Sequence, residues 1–372
     1  MFRKVEESQT DTGAWAASNA GISTDILRNG PITEIRITVE TTPSATLAGA
    51  NAPDGIFRVI QNLSIVGGSQ TYFTLPSKTE PVGGLLLHEM NMYDGASPGH
   101  SLASITAPDH TYVPINFIFH AGVRPRDKYG KPNPFDASGF IPATQENRLR
   151  AIWVTGANTV MDDTVTISSA TMRFTLETLL GSEAEIEQEM VEQEVKLPAG
   201  TRAMVPQWSA EMFSHTATGS DYSIERNVPT GGFLRRIVIV QQDNTTTGGR
   251  ALRAADQVTG VAVKLGKDGT ILMRANMDQG LSNLPPASAL MDADADPLGA
   301  LAVPYGVFVL DLARHVGSRA IGGREYGLNM MGREIGVGDI KLGFTITTYT
   351  SGDQSAILYE RLVPVLAGQR FA

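Results

Sequence analysis

The sequence predicts an all-β chain folded as two tandem eight-stranded jelly rolls, with long inserted loops and few short helices. Three observations lead there. Strand-length runs of alternating apolar and polar residues recur along the chain, turn-forming clusters separate them, and short motifs return in the same order in the two halves.

The size and composition suit that class. At 372 residues the chain is too long for one small core and comfortable for two domains, and 42% hydrophobic with 19% charged residues is the make-up of a folded protein. The 38 Gly and 20 Pro fit many short elements joined by turns. Thirty basic against 39 acidic residues, a net charge of −9, argue against direct nucleic-acid binding, which needs clustered Lys and Arg to displace counterions. The absence of Cys excludes disulfides, thiolate zinc sites and a cysteine nucleophile. The charged start, Met1 to Glu7, is followed by no apolar stretch of signal-peptide type, and no run approaches the roughly 20 residues of a membrane helix.

Taken in order, the elements read as follows. Ile26-Leu27-Arg28-Asn29-Gly30-Pro31 leads into a β-rich run at 35–39, and Ile224-Glu225-Arg226-Asn227-Val228-Pro229 leads into another at 234–239, at an offset of 198. The same offset pairs Ile60, Leu63 and Ile65 with Val258, Val261 and Val263, each set ending in a Gly-containing turn. Residues 113–119 resemble 303–309 at offset 190, and Leu176-Glu177-Thr178-Leu179 resembles Tyr359-Glu360-Arg361-Leu362 at offset 183. Four matches in one order, with offsets shrinking in one direction, point to tandem duplication. The runs at 164–176 and 341–348 alternate over strand lengths and are rich in Thr, Val, Ile and Phe.

The expected organisation is an N-terminal arm at 1–25, a first jelly roll at 26–180, an acidic linker and lead-in at 181–223, a second jelly roll at 224–363 and a tail at 364–372. The linker carries Glu183, Glu185, Glu187, Glu189, Glu192 and Glu194; it reads as a solvated connector, or as a short helix using Ile186, Met190 and Val195. Long Gly/Pro-rich insertions fall at matching places, near 76–108 and 124–147 in the first half and 276–302 and 314–338 in the second.

Catalytic motifs fail for chemical reasons. Gly95-Ala96-Ser97-Pro98-Gly99 has nucleophile-elbow spacing, but Pro98 lacks the N–H that the oxyanion hole needs. His88-Glu89 begins a zinc-protease pattern that Met92 breaks. The six His residues include no His-x-His pair. Residues 260–267 miss the phosphate-loop spacing by one residue, and Asp268 replaces the hydroxyl such a loop requires. Asp292, Asp294 and Asp296 have the carboxylate spacing of a divalent-cation loop but lack its Gly and its bidentate Glu, so a solvated acidic loop competes with a cation site. Gly323-Arg324-Glu325-Tyr326-Gly327 recurs as Gly332-Arg333-Glu334-Ile335-Gly336 and reads as two related turns. No cofactor and no enzymatic activity are expected.

Two jelly rolls in one chain, joined by a short connector and carrying long loops at matching places, resemble the major capsid proteins of the adenovirus–tectivirus lineage, among them those of internal-membrane phages such as corticoviruses and finnlakeviruses. The resemblance covers nearly the whole chain and is architectural. It implies a structural virion protein of the icosahedral capsid, assembled in host cytoplasm: a homotrimer whose six jelly rolls form a pseudo-hexagonal block, tiling a shell with penton or minor capsid proteins. It also implies an N-terminal segment lying toward an internal lipid membrane, where Phe2, Arg3, Lys4 and Trp15 would meet headgroups or a neighbouring subunit. The alternatives are a tandem jelly-roll glycan-processing hydrolase, with Glu89, Asp94, Asp292 and Asp294 as candidate carboxylates, and a carbohydrate-binding or adhesion module.

Overall fold

The computed structural model describes residues 3–11, 21–43, 59–68, 70–75, 86–87, 90, 113–121, 139–156, 166–181, 183–192, 197, 199–247, 250–253, 257–266, 268–276, 306–315, 326–331 and 338–366. Among the described residues of the first half, eight strands follow one another: β1 (Arg3–Asp11), β2 (Gly21–Asp25), β3 (Ile32–Pro43), β4 (Ile60–Gly67), β5 (Thr71–Thr74), β6 (Val113–His120), β7 (Leu149–Thr155) and β8 (Ile167–Leu180). They pair antiparallel as a long hairpin, first with last: β1 with β8, β2 with β7, β3 with β6, β4 with β5. Winding this hairpin sets β3 against β8 and β4 against β7, giving sheets of order β1-β8-β3-β6 and β2-β7-β4-β5. That is the jelly-roll topology.

Helix α1 (Glu183–Glu192) follows. The second half contains β9 (Thr201–Pro206), β10 (Ser209–Ser214), β11 (Gly219–Asn227), β12 (Phe233–Thr247), β13 (Arg250–Arg253), β14 (Val258–Leu265), β15 (Ile271–Asn276), β16 (Val307–Asp311), the short helix α2 (Leu312–His315), β17 (Leu328–Asn329), β18 (Ile340–Ile346) and β19 (Gln354–Leu366). The same pairings recur: β10 with β19, β11 with β18, β12 with β16, β14 with β15, closed by β12 on β19 and β14 on β18. Strands β9, β13 and β17 are additions at the margins of one sheet.

The registers give the correspondence residue by residue. Through β1 to β3 the separation is 202, as in Ile35 with Ile237; it is 198 for Leu63 with Val261, 200 for Phe73 with Met273, 191 for Phe119 with Leu310 and Ala151 with Leu342, and 183 for Leu176 with Tyr359. The β-bulges coincide as well, at Thr33 and Arg235 and again at Gln61 and Thr259. Two sequence offsets, 198 for β4 and 183 for β8, agree with these registers. The other two do not. The Ile-x-Arg-Asn-x-Pro likeness lies four residues out of register: Ile26 and Val228 are the equivalent pair, donating their N–H to Leu149 and Ile340. The offset of 190 is one short, which in a strand exchanges core and solvent faces.

The expected boundaries at 26 and 224 also need correcting. The segment read as an arm contains β1 and β2, and the lead-in contains β9, β10 and most of β11. Strands β1, β2, β10 and β11 lie at the ends of their sheets among the described residues; β10 buries one side chain and β11 none. The alternation that reveals central strands is therefore weak in them. The linker forms the helix, and Ile186 and Met190 are buried in the core rather than solvated; Val195 lies outside the described residues.

Each roll has a core between its sheets. Ile35, Ile37, Val39, Phe174 and Leu176 face Leu63, Ile65, Ala151 and Trp153, with Trp153 and Phe174 rings 5.7 Å apart. In the second roll Ile237, Ile239, Phe308, Leu310 and Ile357 face Val261, Val263, Leu342 and Phe344. A Cβ on Gly30 would overlap the carbonyl oxygen of Leu179, and one on the equivalent Gly232 would overlap that of Leu362; Gly232 is also at φ +73°. The same close approach closes both rolls. Gly232→Ala is expected to lower unfolding free energy by more than about 1 kcal/mol, with Gly30→Ala also destabilising, as read from denaturant midpoints.

Candidate functional site

The feature that sets this molecule apart from two beads on a string is the seam between the rolls. In β3, buried Ile35, Ile37 and Val39 alternate with half-exposed Arg36, Thr38 and Glu40, so that face meets solvent. Strand β12 instead runs Phe233-Leu234-Arg235-Arg236-Ile237-Val238-Ile239-Val240 without an exposed residue. Ile237 and Ile239 enter the second core, while Val238 and Val240 on the opposite face join the first. Phe308 and Leu310 against Val307 and Val309, and Ile357 and Tyr359 against Ala356 and Leu358, divide in the same way. Strands β19, β12 and β16 are thus buried on both faces.

An aromatic trio fastens it. Trp208, between β9 and β10, packs its ring 5.7 Å from Phe73 of β5 and 4.7 Å from Phe119 of β6, and those two lie 5.1 Å apart. All three are almost fully buried, in edge or tilted geometry. The backbone joins as well: Trp208 donates its N–H to Tyr72 O (2.9 Å) and accepts from Thr74 N–H (3.1 Å). Strand β5 is held in turn from the first roll. The Tyr72 hydroxyl donates to Glu146, a buried carboxylate that occupies the space a Cβ on Gly67 would need. Burial, then the Glu146 hydrogen bond, raise the Tyr72 pKa far above that of a free phenol.

On the seam face of the second roll, Glu360 is 1% exposed and accepts from Arg235 (2.8 Å) and from Arg236. Its equivalent in the first roll, Glu177, accepts instead from the Thr33 hydroxyl (2.8 Å) on a half-exposed face. One position of the repeat therefore carries a desolvated ion pair where the sheet is covered and an ordinary polar contact where it is open.

Elsewhere, Asp25 binds Arg148 (2.8 Å) and Arg150 (3.5 Å) near the mouth of an open cleft at the β2–β3 turn, and the Arg148 hydrogen bond holds its carboxyl below the usual range. Buried His215 contacts Ser355 Oγ through Nε2 (2.9 Å) and donates its backbone N–H to Asp353 O; burial pushes its pKa down. Among the described residues no group of three or more His, Cys, Asp or Glu could hold a metal ion. Asp292, Asp294 and Asp296 lie outside the described residues, as do Phe2, Trp15, the segment 91–100, Glu89 and Asp94. Arg3 and Lys4 open β1, in register with Leu180 and Leu179. Gly260 sits inside strand β14, so the false phosphate loop is a strand.

Solved structures align along almost the whole chain. The major capsid protein of Sulfolobus turreted icosahedral virus is 15% identical, with 97% of each chain covered and a TM-score of 0.63. That of bacteriophage PM2 is 10% identical over 98% of this chain and 100% of its own, with a TM-score of 0.53. A chain of the PBCV-1 virus capsid is 10% identical over 100% and 98%, at 0.52. The chain is a double jelly roll. No protein-family profile and no curated protein sequence matches it, so the likeness resides in the shape of the double jelly roll and not in its residues.

Two outcomes are expected from these buried polar groups. Glu360→Ala removes the buried carboxylate that Arg235 and Arg236 share and should cost about 3–5 kcal/mol in denaturant unfolding, whereas Glu177→Ala should cost far less. His215 has a folded pKa below its unfolded value near 6.5. The unfolded chain thus takes up a proton that the folded chain resists, so stability is complete above about pH 6.5 and falls as pH drops below it. His215→Gln should flatten that acid-side decline in unfolding curves.

Proposed function

We propose that the chain is a structural virion protein, the major capsid protein of an icosahedral shell, and not an enzyme. The observation that carries this reading is the pairing of two equivalent rolls across one doubly buried sheet, aligned nearly end to end with capsid proteins. Duplication gives each chain two similar tiles. Three chains then place six tiles about one axis and pack with pseudo-sixfold symmetry, while a heterologous contact that closes at three avoids an open filament.

In this reading the partners are other copies of the chain, as homotrimers and neighbouring trimers, together with penton or minor capsid proteins; an internal lipid membrane would lie beneath the shell. The site of action is the virion capsid, reached by assembly in the host cytoplasm. The polar outer face of the first roll and the −9 net charge support a coat that contacts protein rather than nucleic acid.

The purified chain should sediment as a trimer at micromolar concentration and form pseudo-hexagonal blocks visible by electron microscopy. A stable monomer at all concentrations would sink the proposal.

A further inference from the structure

The second roll buries a cation that its fold does not call for. Arg361 stands opposite Leu234 on the β12–β19 pair and two residues beyond Tyr359, so it lies on the face that meets the second core. It is 9% exposed. Its Nη1 donates to the carbonyl oxygen of Thr230 (2.6 Å), in the turn between β11 and β12. Its Nε is buried without an acceptor among the described residues, and no carboxylate of those residues pairs with it. Glu360, the preceding residue, lies on the opposite face and takes Arg235 and Arg236 instead. Burial draws the Arg361 pKa down. The duplication shows that closure of the roll does not need this charge. The equivalent residue of the first roll is Thr178, fully buried opposite Ile32 as Arg361 is opposite Leu234.

We propose that Arg361, at the β11–β12 turn of the second roll, binds a small inorganic oxyanion of the phosphate or sulfate class. A guanidinium taken out of water is costly unless a counter-charge and acceptors replace its hydration. A carbonyl oxygen on Nη1 supplies one acceptor and no charge. The edge of the planar group left over is the one that carries Nε–H and an Nη2–H side by side, a fork spaced for two oxygens of one oxyanion. The accessible part of Arg361 is the approach such an ion uses. A lysine would offer a point charge there, whereas arginine offers that fork. The site belongs to the single chain and does not depend on the shell reading above.

The test is denaturant unfolding of the full chain while sodium phosphate replaces chloride at constant ionic strength. Once phosphate exceeds its dissociation constant, each further tenfold rise should lower the unfolding constant about tenfold. Arg361→Met and Arg361→Thr, the second matching the first roll, should keep only the shallow response that phosphate gives any protein. In phosphate-free buffer both variants should be at least as stable as the parent, since they remove a buried charge that has no counter-ion. Arg361→Lys covers the chance that neither folds: it keeps the charge, loses the fork and should need about tenfold more phosphate for the same effect. Line broadening of the phosphate ³¹P resonance by the parent chain and not by the variants would show binding directly. An equal phosphate response in parent and variants, or no broadening by the parent, would overturn the site. So would variants that are much less stable than the parent without phosphate, because Arg361 would then be a structural residue already satisfied by the chain.

Discussion

Burial of one sheet on both faces is the constraint on which the rest of the molecule depends. A jelly roll alone needs one apolar face per sheet. The trio of strands β19, β12 and β16 presents two, because Val238, Val240, Val307, Val309, Ala356 and Leu358 leave water only where the first roll covers them. The second roll therefore has no comfortable solitary state, and the two halves form one continuous body of packed side chains. The trio of Phe73, Phe119 and Trp208 concentrates that packing at the flank where the first roll's strands end.

Covering the sheet dictated its electrostatics. A glutamate at the equivalent positions 177 and 360 is inexpensive on the open face, with a threonine hydroxyl for company, and demands two guanidinium partners on the closed one. Such a pair adds little net stability over an apolar replacement, but it punishes any arrangement that separates its members. Its position beside the bulge at Arg235 makes it a check on register at the seam. Duplicated backbones have thus acquired different surfaces: one outer face committed within the chain, and one polar face that stays half-exposed.

Sequence periodicity found the central strands, because alternation is strongest where one face is buried and the other wet, as in β3, β4, β8 and β18. It found the duplication through β4 with β14 and β8 with β19, where the buried residues keep their spacing. It lost the edge strands β1, β2, β10 and β11, whose residues are mostly polar on both faces, and so took the first two for an arm. It also matched Ile26 to Ile224 on residue identity, when the backbone equivalence is to Val228. Glycines would have corrected this: Gly30 and Gly232 mark the same closure.

The sequence by itself determined the all-β class, the two-fold repeat and the failure of each catalytic motif, because these depend on side-chain period and on the presence or absence of particular chemical groups. It even contained the trace of the seam, in the unbroken apolar run Ile237-Val238-Ile239-Val240. Only the tertiary structure decided what that run meant. Double-sided burial is a statement about what lies across from a strand, and Trp208, Phe73 and Phe119, far apart along the chain, meet solely because winding two hairpins brings one roll's flank onto the other's sheet.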